Sequence, residues 1–197
     1  MNERVAIFSS IVEAIKYYAV EKPDKVCLRD SKRCVTYSEY FSLIEKNATF
    51  FVKQKVKKGD CVILKAEQSI DYLSAFHGVQ LAEGIPVPLE KNVKADRISE
   101  VSAITGSRLC VGAENGEDQY SYDYISASED CSHGFSYPLE SGTGEILFTT
   151  GTTGKSKGVV MTHSADVSVA QNVIFGVEMK KDNIEVIPIY VFSFRSP

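Results

Sequence analysis

The residues best suited to chemistry in this 197-residue chain are concentrated in one short run. Positions 149–158 read TTGTTGKSKG, with 4 threonines, 3 glycines and 2 lysines. Glycines let successive backbone N–H groups curve around an anion, hydroxyls add hydrogen-bond donors, and a lysine supplies positive charge. The run therefore predicts a phosphate-binding loop. The alternative is a flexible connection without a ligand, for which so many threonines are poorly suited.

A Walker A loop is the competing interpretation of this run. Gly154-Lys155-Ser156 resembles the end of the pattern GxxxxGK[ST]. That pattern needs glycine at the position occupied by Thr149. It also needs a helix to begin at the Lys-Ser pair, whereas the β-branched and apolar residues of 158–162 favour a strand. The P-loop nucleotide triphosphatases are excluded on both grounds.

The loop needs rigid elements on either side, and the sequence predicts them. Residues 145–149 (EILFT) and 158–162 (GVVMT) predict two strands that flank the loop. A helix is predicted over 164–175 and a last strand over 185–190. The glycine- and threonine-rich run is therefore predicted to join two strands.

The start of the chain predicts two capped helices. Ser10 and Glu13, and again Thr36 and Glu39, have the spacing of a capping box, and each is followed by an apolar stripe. Residues 25–29 and 33–36 predict a short hairpin between the helices. The second helix is predicted to end at Gly59.

The middle of the chain alternates between strand and helix patterns. Strands are predicted over 61–65, 85–89 and 108–111, and helices over 69–81 and 94–105. Short turns separate these elements. Such a succession is typical of an α/β fold, with a mainly parallel sheet flanked by helices.

Residues 112–144 interrupt this pattern. They are rich in Gly, Ser, Asp, Glu and Tyr. Weak alternation at Tyr120, Tyr122 and Tyr124 predicts one short edge strand with the tyrosines on one face. A weak internal boundary is expected in this region, within one domain that spans 1–197.

Composition narrows the possible functions. The chain is 44% hydrophobic and 24% charged, with a formal net charge of -4, which is ordinary for a globular protein and offers no basic footprint for nucleic acid. Its 5 cysteines are scattered without metal-binding or redox spacing, which favours a reducing compartment. Without a signal-like or membrane-spanning apolar run, the sequence predicts a cytoplasmic protein.

The loop and its flanking strands resemble a known signature. Residues 145–163 (EILFTTGTTGKSKGVVMTH) are similar to the pattern [ST][ST]GTTGxPKG of the adenylate-forming superfamily, which includes acyl-CoA synthetases, aryl-CoA ligases, peptide-synthetase adenylation domains and luciferases. Residues 35–39, 58–62 and 84–89 resemble further family landmarks in the same order. The resemblance covers almost the whole chain and implies the amino-terminal subdomain of such an enzyme.

The resemblance implies an activity and a set of binding residues. In this family a carboxylate attacks the α-phosphorus of ATP, giving acyl-AMP and pyrophosphate, and a thiol such as coenzyme A often displaces AMP. The implied partner is a small carboxylic acid, and the implied cofactors are ATP and Mg²⁺, with coenzyme A for the full-length enzyme. The implied phosphate-binding residues are Thr149, Thr150, Gly151, Thr152, Thr153, Gly154 and Lys157. No catalytic residue or metal ligand is assigned.

Two departures from the family are visible. Ser156 stands where proline is usual, which we expect to be tolerated. Residues 188–194 align with a Pro-x-x-His-x-x-Gly landmark but have Val191 for histidine and Phe194 for glycine. The adenine-binding segment, the ribose-binding aspartate and the terminal lysine are absent from these 197 residues, so we expect the chain alone to be inactive. An acyl-CoA synthetase fragment is the first hypothesis; the alternatives are a peptide-synthetase adenylation fragment and a non-catalytic remnant or interaction module.

The histidines are expected to be structural. His77 lies in a predicted helix and His163 follows the second strand of the motif, so both are expected to be packing residues. His133 lies in the polar region and is expected to be exposed.

Overall fold

The computed structural model describes residues 8–112, 119–122, 142–149, 157–176 and 178. The chain opens with helix α1 (Ile11–Glu21), the antiparallel strands β1 (Val26–Arg29) and β2 (Cys34–Thr36), and helix α2 (Tyr37–Lys53). These elements agree with those that the sequence predicts.

The predicted capping box is confirmed at Thr36, whereas Ser10 caps its helix without the reciprocal bond, because the Glu13 carboxylate accepts from the N–H and hydroxyl of Ser9 instead. The hydroxyl of Ser10 accepts a hydrogen bond from the backbone N–H of Glu13. The Thr36 hydroxyl does the same for Glu39, whose carboxylate accepts from the Thr36 N–H in return. The predicted end of α2 is wrong, because the helix stops at Lys53 and not at Gly59. Lys55 has a φ of 63°, and the N–H of Val56 donates to the carbonyl of Phe51, which together form a left-handed Schellman cap that ends the helix.

The central sheet has four parallel strands in the order β4-β3-β5-β6. The elements along the chain are β3 (Cys61–Lys65), α3 (Ile70–Leu81), β4 (Ile85–Leu89), α4 (Ala95–Thr105), β5 (Leu109–Val111) and β6 (Gln119–Tyr120). The chain runs from β3 outward to β4 and then crosses to β5 on the other side of β3. The predicted α/β class with a parallel sheet flanked by helices is confirmed.

Apolar residues cover both faces of this sheet. On one face, Val62 and Leu64 of β3 join a large core that includes side chains of α1, α2 and α3. On the other face, Ile63 joins a smaller cluster with Val87 of β4 and Val101 of α4. Alternate residues of β3 therefore enter different cores, as the two-residue period of a strand requires.

Helix α3 is fixed tightly between α2 and the β1–β2 turn. At Gly78 a side-chain carbon would lie 2.6 Å from Cβ of Asn47, so only glycine lets the two helices approach this closely. The Oδ2 atom of Asp30 accepts from the N–H of Ile70 at 2.9 Å and caps the first turn of α3. The orientation of α3 is therefore set at both of these contacts.

The tyrosine alternation predicted for an edge strand is only partly confirmed. Strand β6 exists at the sheet edge, but Tyr122 does not share an exposed strand face and is 5% exposed. Its hydroxyl donates to the carbonyl of Lys65 at 2.7 Å, and its ring lies over Gly112, where a side-chain carbon would approach within 2.8 Å. Tyr124, His133 and the remainder of the predicted boundary region up to residue 141 lie outside the described residues.

A second pair of strands begins at Thr143. Strands β7 (Thr143–Thr149) and β8 (Lys157–Thr162) are antiparallel and form a separate two-stranded sheet, followed by helix α5 (His163–Gly176). The predicted strands at 145–149 and 158–162 and the helix at 164–175 are confirmed; the strand predicted at 185–190 lies outside the described residues. In the described part of the chain, no helix has the length and apolarity to cross a membrane.

Candidate functional site

The β7–β8 hairpin brings the two ends of the predicted phosphate loop together. Thr149 is the last residue of β7 and Lys157 the first of β8, and the two are opposite each other in the antiparallel register. Both are exposed. A hydroxyl and an ammonium group therefore stand side by side where the loop leaves and rejoins the strands.

The connection between the strands covers residues 150–156, longer than the two to five residues of an ordinary hairpin turn. Thr150, Gly151, Thr152, Thr153 and Gly154 all lie outside the described residues. Their assignment as phosphate-binding residues therefore stays a prediction, and the described structure locates only Thr149 and Lys157.

The strand after the loop distinguishes this loop from a Walker A loop. Residues from Lys157 to Thr162 are extended and paired with β7. A helix begins only at His163, well after the Lys-Ser pair. The β-branched Val159 and Val160 fit the pleated backbone, which explains why the sequence favours a strand here.

Side chains of β7 attach the hairpin to the central sheet. Ile146 and Phe148 pack against the cluster that contains Ile63 and Val87. On β8, a side-chain carbon at Gly158 would lie 3.1 Å from Ile146 and 3.3 Å from Phe148. Glycine at position 158 therefore leaves room for the large side chains of the neighbouring strand.

Arg97 adds a second positive charge beside the hairpin. Its guanidinium lies over the ring of Phe148, 5.5 Å from the ring centre, in the range of a cation–π interaction. Its Nη1 also donates to the carboxylate of Glu100 at 2.8 Å. Arg97 could not be predicted from the sequence, because nothing in the hydrophobic pattern of α4 links this residue to a residue of β7.

The root of the hairpin, away from the loop, is polar and buried. Nε2 of Gln80 donates to the carbonyl of Gly144 at 2.9 Å. Burial, with the negative charge of Asp166 second, raises the pKa of the neighbouring Glu145 carboxyl to about 7, and burial raises the pKa of Asp166 to about 6. This polar group could not be predicted from the sequence either. The one local signal for it is a polar side chain inside an otherwise apolar strand or helix.

The crevice where open α/β sheets commonly bind ligands is filled in this chain. That crevice lies at the carboxyl ends of the strands where the strand order reverses, here between β3 and β5. Tyr122 occupies it, hydrogen-bonded to the carbonyl of Lys65 and packed edge-on against Tyr72, with ring centres 5.8 Å apart. The hairpin is therefore the better candidate site.

The two described histidines contribute packing to the structure. Nδ1 of His77 is 2.7 Å from the Tyr40 hydroxyl, and burial lowers the pKa of His77 to about 4. His163 is buried at the start of α5, and burial lowers its pKa too. The structural role expected for both residues agrees with these contacts. Within the described residues, no group of three or more His, Cys, Asp or Glu side chains is placed to bind a metal ion.

The described end of the loop suits a phosphate group. Lys157 provides a point charge and Thr149 a hydroxyl donor, the two kinds of group that bind phosphate oxygens. Arg97, held over Phe148, adds positive charge close to the same strand end. These residues fit the phosphate end of a nucleotide such as ATP.

Comparisons with known proteins identify the relatives of this chain. A profile of the AMP-binding enzyme family matches residues 15–136. Nonribosomal peptide synthetase kk1B of Curvularia clavata is 26% identical over 176 residues, which are 83% of this chain and 1% of that protein.

Two solved structures show the same fold. The N-terminal subdomain of NpsA from Klebsiella oxytoca, in complex with 3-hydroxybenzoyl-AMSN, has a TM-score of 0.68 and 23% identity over 78% of this chain and 41% of its own. O-succinylbenzoate coenzyme A synthetase from Bacillus subtilis, in complex with AMP, has a TM-score of 0.81 and 19% identity over 90% of this chain and 49% of its own. The chain thus spans less than half the length of both solved chains.

The family match covers well over half of the chain, and it agrees with the superfamily resemblance of the loop signature and with the shared fold. The chain belongs to the AMP-binding enzyme family.

Proposed function

We propose that the loop between β7 and β8 binds the phosphates of ATP, and that this chain is the phosphate-binding part of an ATP-dependent, AMP-forming carboxylate ligase. The observation that carries the proposal is the antiparallel pairing of Thr149 with Lys157. This pairing closes a glycine- and threonine-rich loop with a cation and a hydroxyl at its two ends.

The proposed reaction makes use of that arrangement. A carboxylate oxygen attacks the α-phosphorus of ATP, the bond from that phosphorus to the bridging oxygen breaks, and pyrophosphate leaves with the electron pair. Negative charge develops on the leaving group, so donors and cations already in position stabilise the transition state more than the ground state. The proposed binding residues are Thr149 to Gly154, with the turn at Gly154, and Lys157.

Magnesium is part of the proposal as a companion of the nucleotide. Mg²⁺ commonly binds substrate phosphates with few protein ligands, and it would supply positive charge to the β- and γ-phosphates. Threonine hydroxyls of the loop would complete only part of its coordination shell. The described residues that would act beside it are Thr149 and Lys157.

Two substrate classes follow from different observations. The solved coenzyme A synthetase matches 90% of this chain with a TM-score of 0.81, which supports an acyl-CoA synthetase with coenzyme A as the acceptor. The peptide synthetase relative matches by sequence at 26% identity, which supports adenylation of an amino acid. The NpsA subdomain, solved with 3-hydroxybenzoyl-AMSN, supports an aryl acid in the same class. We keep carboxylate adenylation as the proposal common to both.

The test is carboxylate-dependent exchange of labelled pyrophosphate into ATP, measured on the full-length product of the gene that encodes this chain. We expect Lys157→Ala to lower the exchange rate by about 100-fold, the effect of removing one positioned charge-stabilising group. Lys53→Ala, at an exposed position on α2, is the matched control and should leave the rate unchanged.

A panel of carboxylic acids distinguishes the two proposed enzyme classes. Exchange with amino or aryl acids but without a coenzyme A product favours the peptide-synthetase class, and a thioester product with coenzyme A favours the acyl-CoA synthetase class. No exchange with any carboxylic acid, or exchange that is equal in Lys157→Ala and Lys53→Ala, would refute the proposed function and favour a non-catalytic remnant.

A further inference from the structure

A buried polar group connects the hairpin to helix α3 and helix α5. We define the root cluster as Gln80, Glu145 and Asp166. Gln80 is 2% exposed and donates to the carbonyl of Gly144 at 2.9 Å. A side-chain carbon at Gly144 would overlap Oδ2 of Asp166 and lie 3.0 Å from the N–H of His163. The start of β7 is thus enclosed between α3 and α5.

The root cluster contains more hydrogen-bond acceptors than donors. Oε1 of Gln80 and Oε2 of Glu145 are both buried and have no hydrogen-bond partner within the described part of the chain. A buried acceptor without a donor costs free energy. A proton on the Glu145 carboxyl supplies a donor to a site that is short of one.

Among the described residues, no positive charge contributes to the pKa shifts of Glu145 and Asp166. Tyr72 of α3 lies near Glu145, the backbone nitrogen of His163 lies beside Gly144, and burial lowers the pKa of His163, so its imidazole is neutral near pH 7. Strand β4 offers only apolar residues and proline, and Met161 of β8 lies opposite Glu145. Two carboxyl groups that interact in such surroundings do not both ionise readily.

We propose that Gln80 is a positioning residue for the phosphate loop, acting through the root cluster that encloses Gly144 at the start of β7. Gln80 fixes the start of β7 at Gly144, and the paired strand carries that position to Thr149, five residues or about 17 Å away. Ionisation of both Glu145 and Asp166 places two like charges beside Gly144 and loosens the root. The link to phosphate binding rests on the proposed function; the tether itself does not.

The sign of the pH effect follows from the direction of the shifts. The pKa of Glu145 is raised to about 7 and that of Asp166 to about 6, so the folded hairpin binds protons that the unfolded chain has already released. The stabilisation from these protons is full below the unfolded pKa values near 4 and is lost as the pH rises through 6 to 7. The hairpin should therefore open more often above pH 7.

The experiment is amide hydrogen exchange of β7 and β8 on the whole 197-residue chain without ligand, with rates corrected for the intrinsic pH dependence of exchange. We expect Gln80→Met, similar in length but without the donor, to lower protection of both strands by about 10-fold. The matched control is Ser74→Ala, on the same helix α3 as Gln80 but on the side that faces α2. It removes a buried 2.8 Å hydrogen bond from Asn47 of α2. It should leave β7 and β8 unchanged.

A pH series supplies the readout that a purely structural side chain would not alter. In the wild-type chain, protection of β7 and β8 should fall several-fold between pH 5.5 and 8. Glu145→Gln should reduce this fall, since its amide cannot ionise and only Asp166 still titrates. Equal loss of protection in Gln80→Met and Ser74→Ala would overturn the proposal. So would a pH profile that is the same in Glu145→Gln as in the wild-type chain.

Adding pyrophosphate in a separate arm distinguishes this proposal from the proposed function. If Gln80→Met loosens the hairpin and the wild-type loop does not bind pyrophosphate, the positioning of the strands stands and the phosphate role fails. If the wild-type loop binds pyrophosphate and Gln80→Met binds it equally well, Gln80 does not position the loop and the proposal is refuted.

Discussion

The body of the molecule (α1–α4 with β1–β6) and the hairpin unit (β7, β8 and α5) use their apolar residues in opposite ways. In the body, Ile44, Phe51 and Leu64 are fully buried. In the hairpin unit, Val160 is 58% exposed and Phe175 is 65% exposed. The body has a continuous core, whereas the hairpin unit is attached through a few side chains of one strand.

This difference indicates where the stability of the site comes from. The body should unfold as one cooperative unit, because its core joins three helices and the sheet. The hairpin should open locally at lower cost, since Ile146, Phe148 and Gln80 provide its anchors to the body. The loop that we propose binds phosphate is thus placed on the less stable region.

The largest expected effect comes from the core of the body. Leu64→Ala removes a fully buried side chain and should lower the free energy of unfolding by about 2–5 kcal/mol. The loss should be global, so hydrogen exchange should accelerate in all slowly exchanging amides of the body at once. Denaturant unfolding followed by circular dichroism measures it, and a change confined to the hairpin unit would contradict the comparison.

A smaller effect is expected where the two regions meet. The cation–π contact between Arg97 and Phe148 should contribute about 0.5–1 kcal/mol to hairpin closure. A double-mutant cycle with Arg97→Met and Phe148→Leu, measured by amide exchange of β7, gives the coupling energy. Glu100→Gln controls for the loss of the ion pair of Arg97. A coupling energy of zero would show that Arg97 does not help to hold the loop.

The smallest effect is expected on the outer face of the hairpin unit. Val160→Thr should change stability by less than about 0.5 kcal/mol because the side chain already faces solvent. The same change at Val62, which is fully buried, places an unpaired hydroxyl in the core and should cost about 1–3 kcal/mol. Equal costs at the two positions would show that the outer face of β8 is covered in solution.

Much of the body could be predicted from local patterns. The N-cap at Ser10 and the capping box at Thr36 set the starts of two helices, and the strand–helix alternation indicated the parallel sheet. These signals lie within a few residues of one another, so a sequence displays them directly. The predicted end of α2 is wrong because it relies on Gly59 as the stop signal, whereas the chain already leaves the helix before Lys55.

The candidate site could be predicted less completely from the sequence than the body could. The loop signature pointed to Thr149 and Lys157, and their opposed positions agree with a loop closed by two strands. The contact between Gln80 and Gly144 joins residues 64 positions apart, and Tyr122 reaches Lys65 across 57 positions. No local periodicity reports such contacts, so the filled crevice and the root cluster appear only in the folded chain.

The most direct test of the central claim is amide hydrogen exchange of residues 149–157 with and without millimolar pyrophosphate. We expect the ligand to slow exchange in this segment of the wild-type chain and of Lys53→Ala, but not of Lys157→Ala. The body, represented by β3 and α3, should not respond in any of the three. Absence of slowing in the wild-type chain, or equal slowing in Lys157→Ala, would contradict a phosphate-binding loop between β7 and β8.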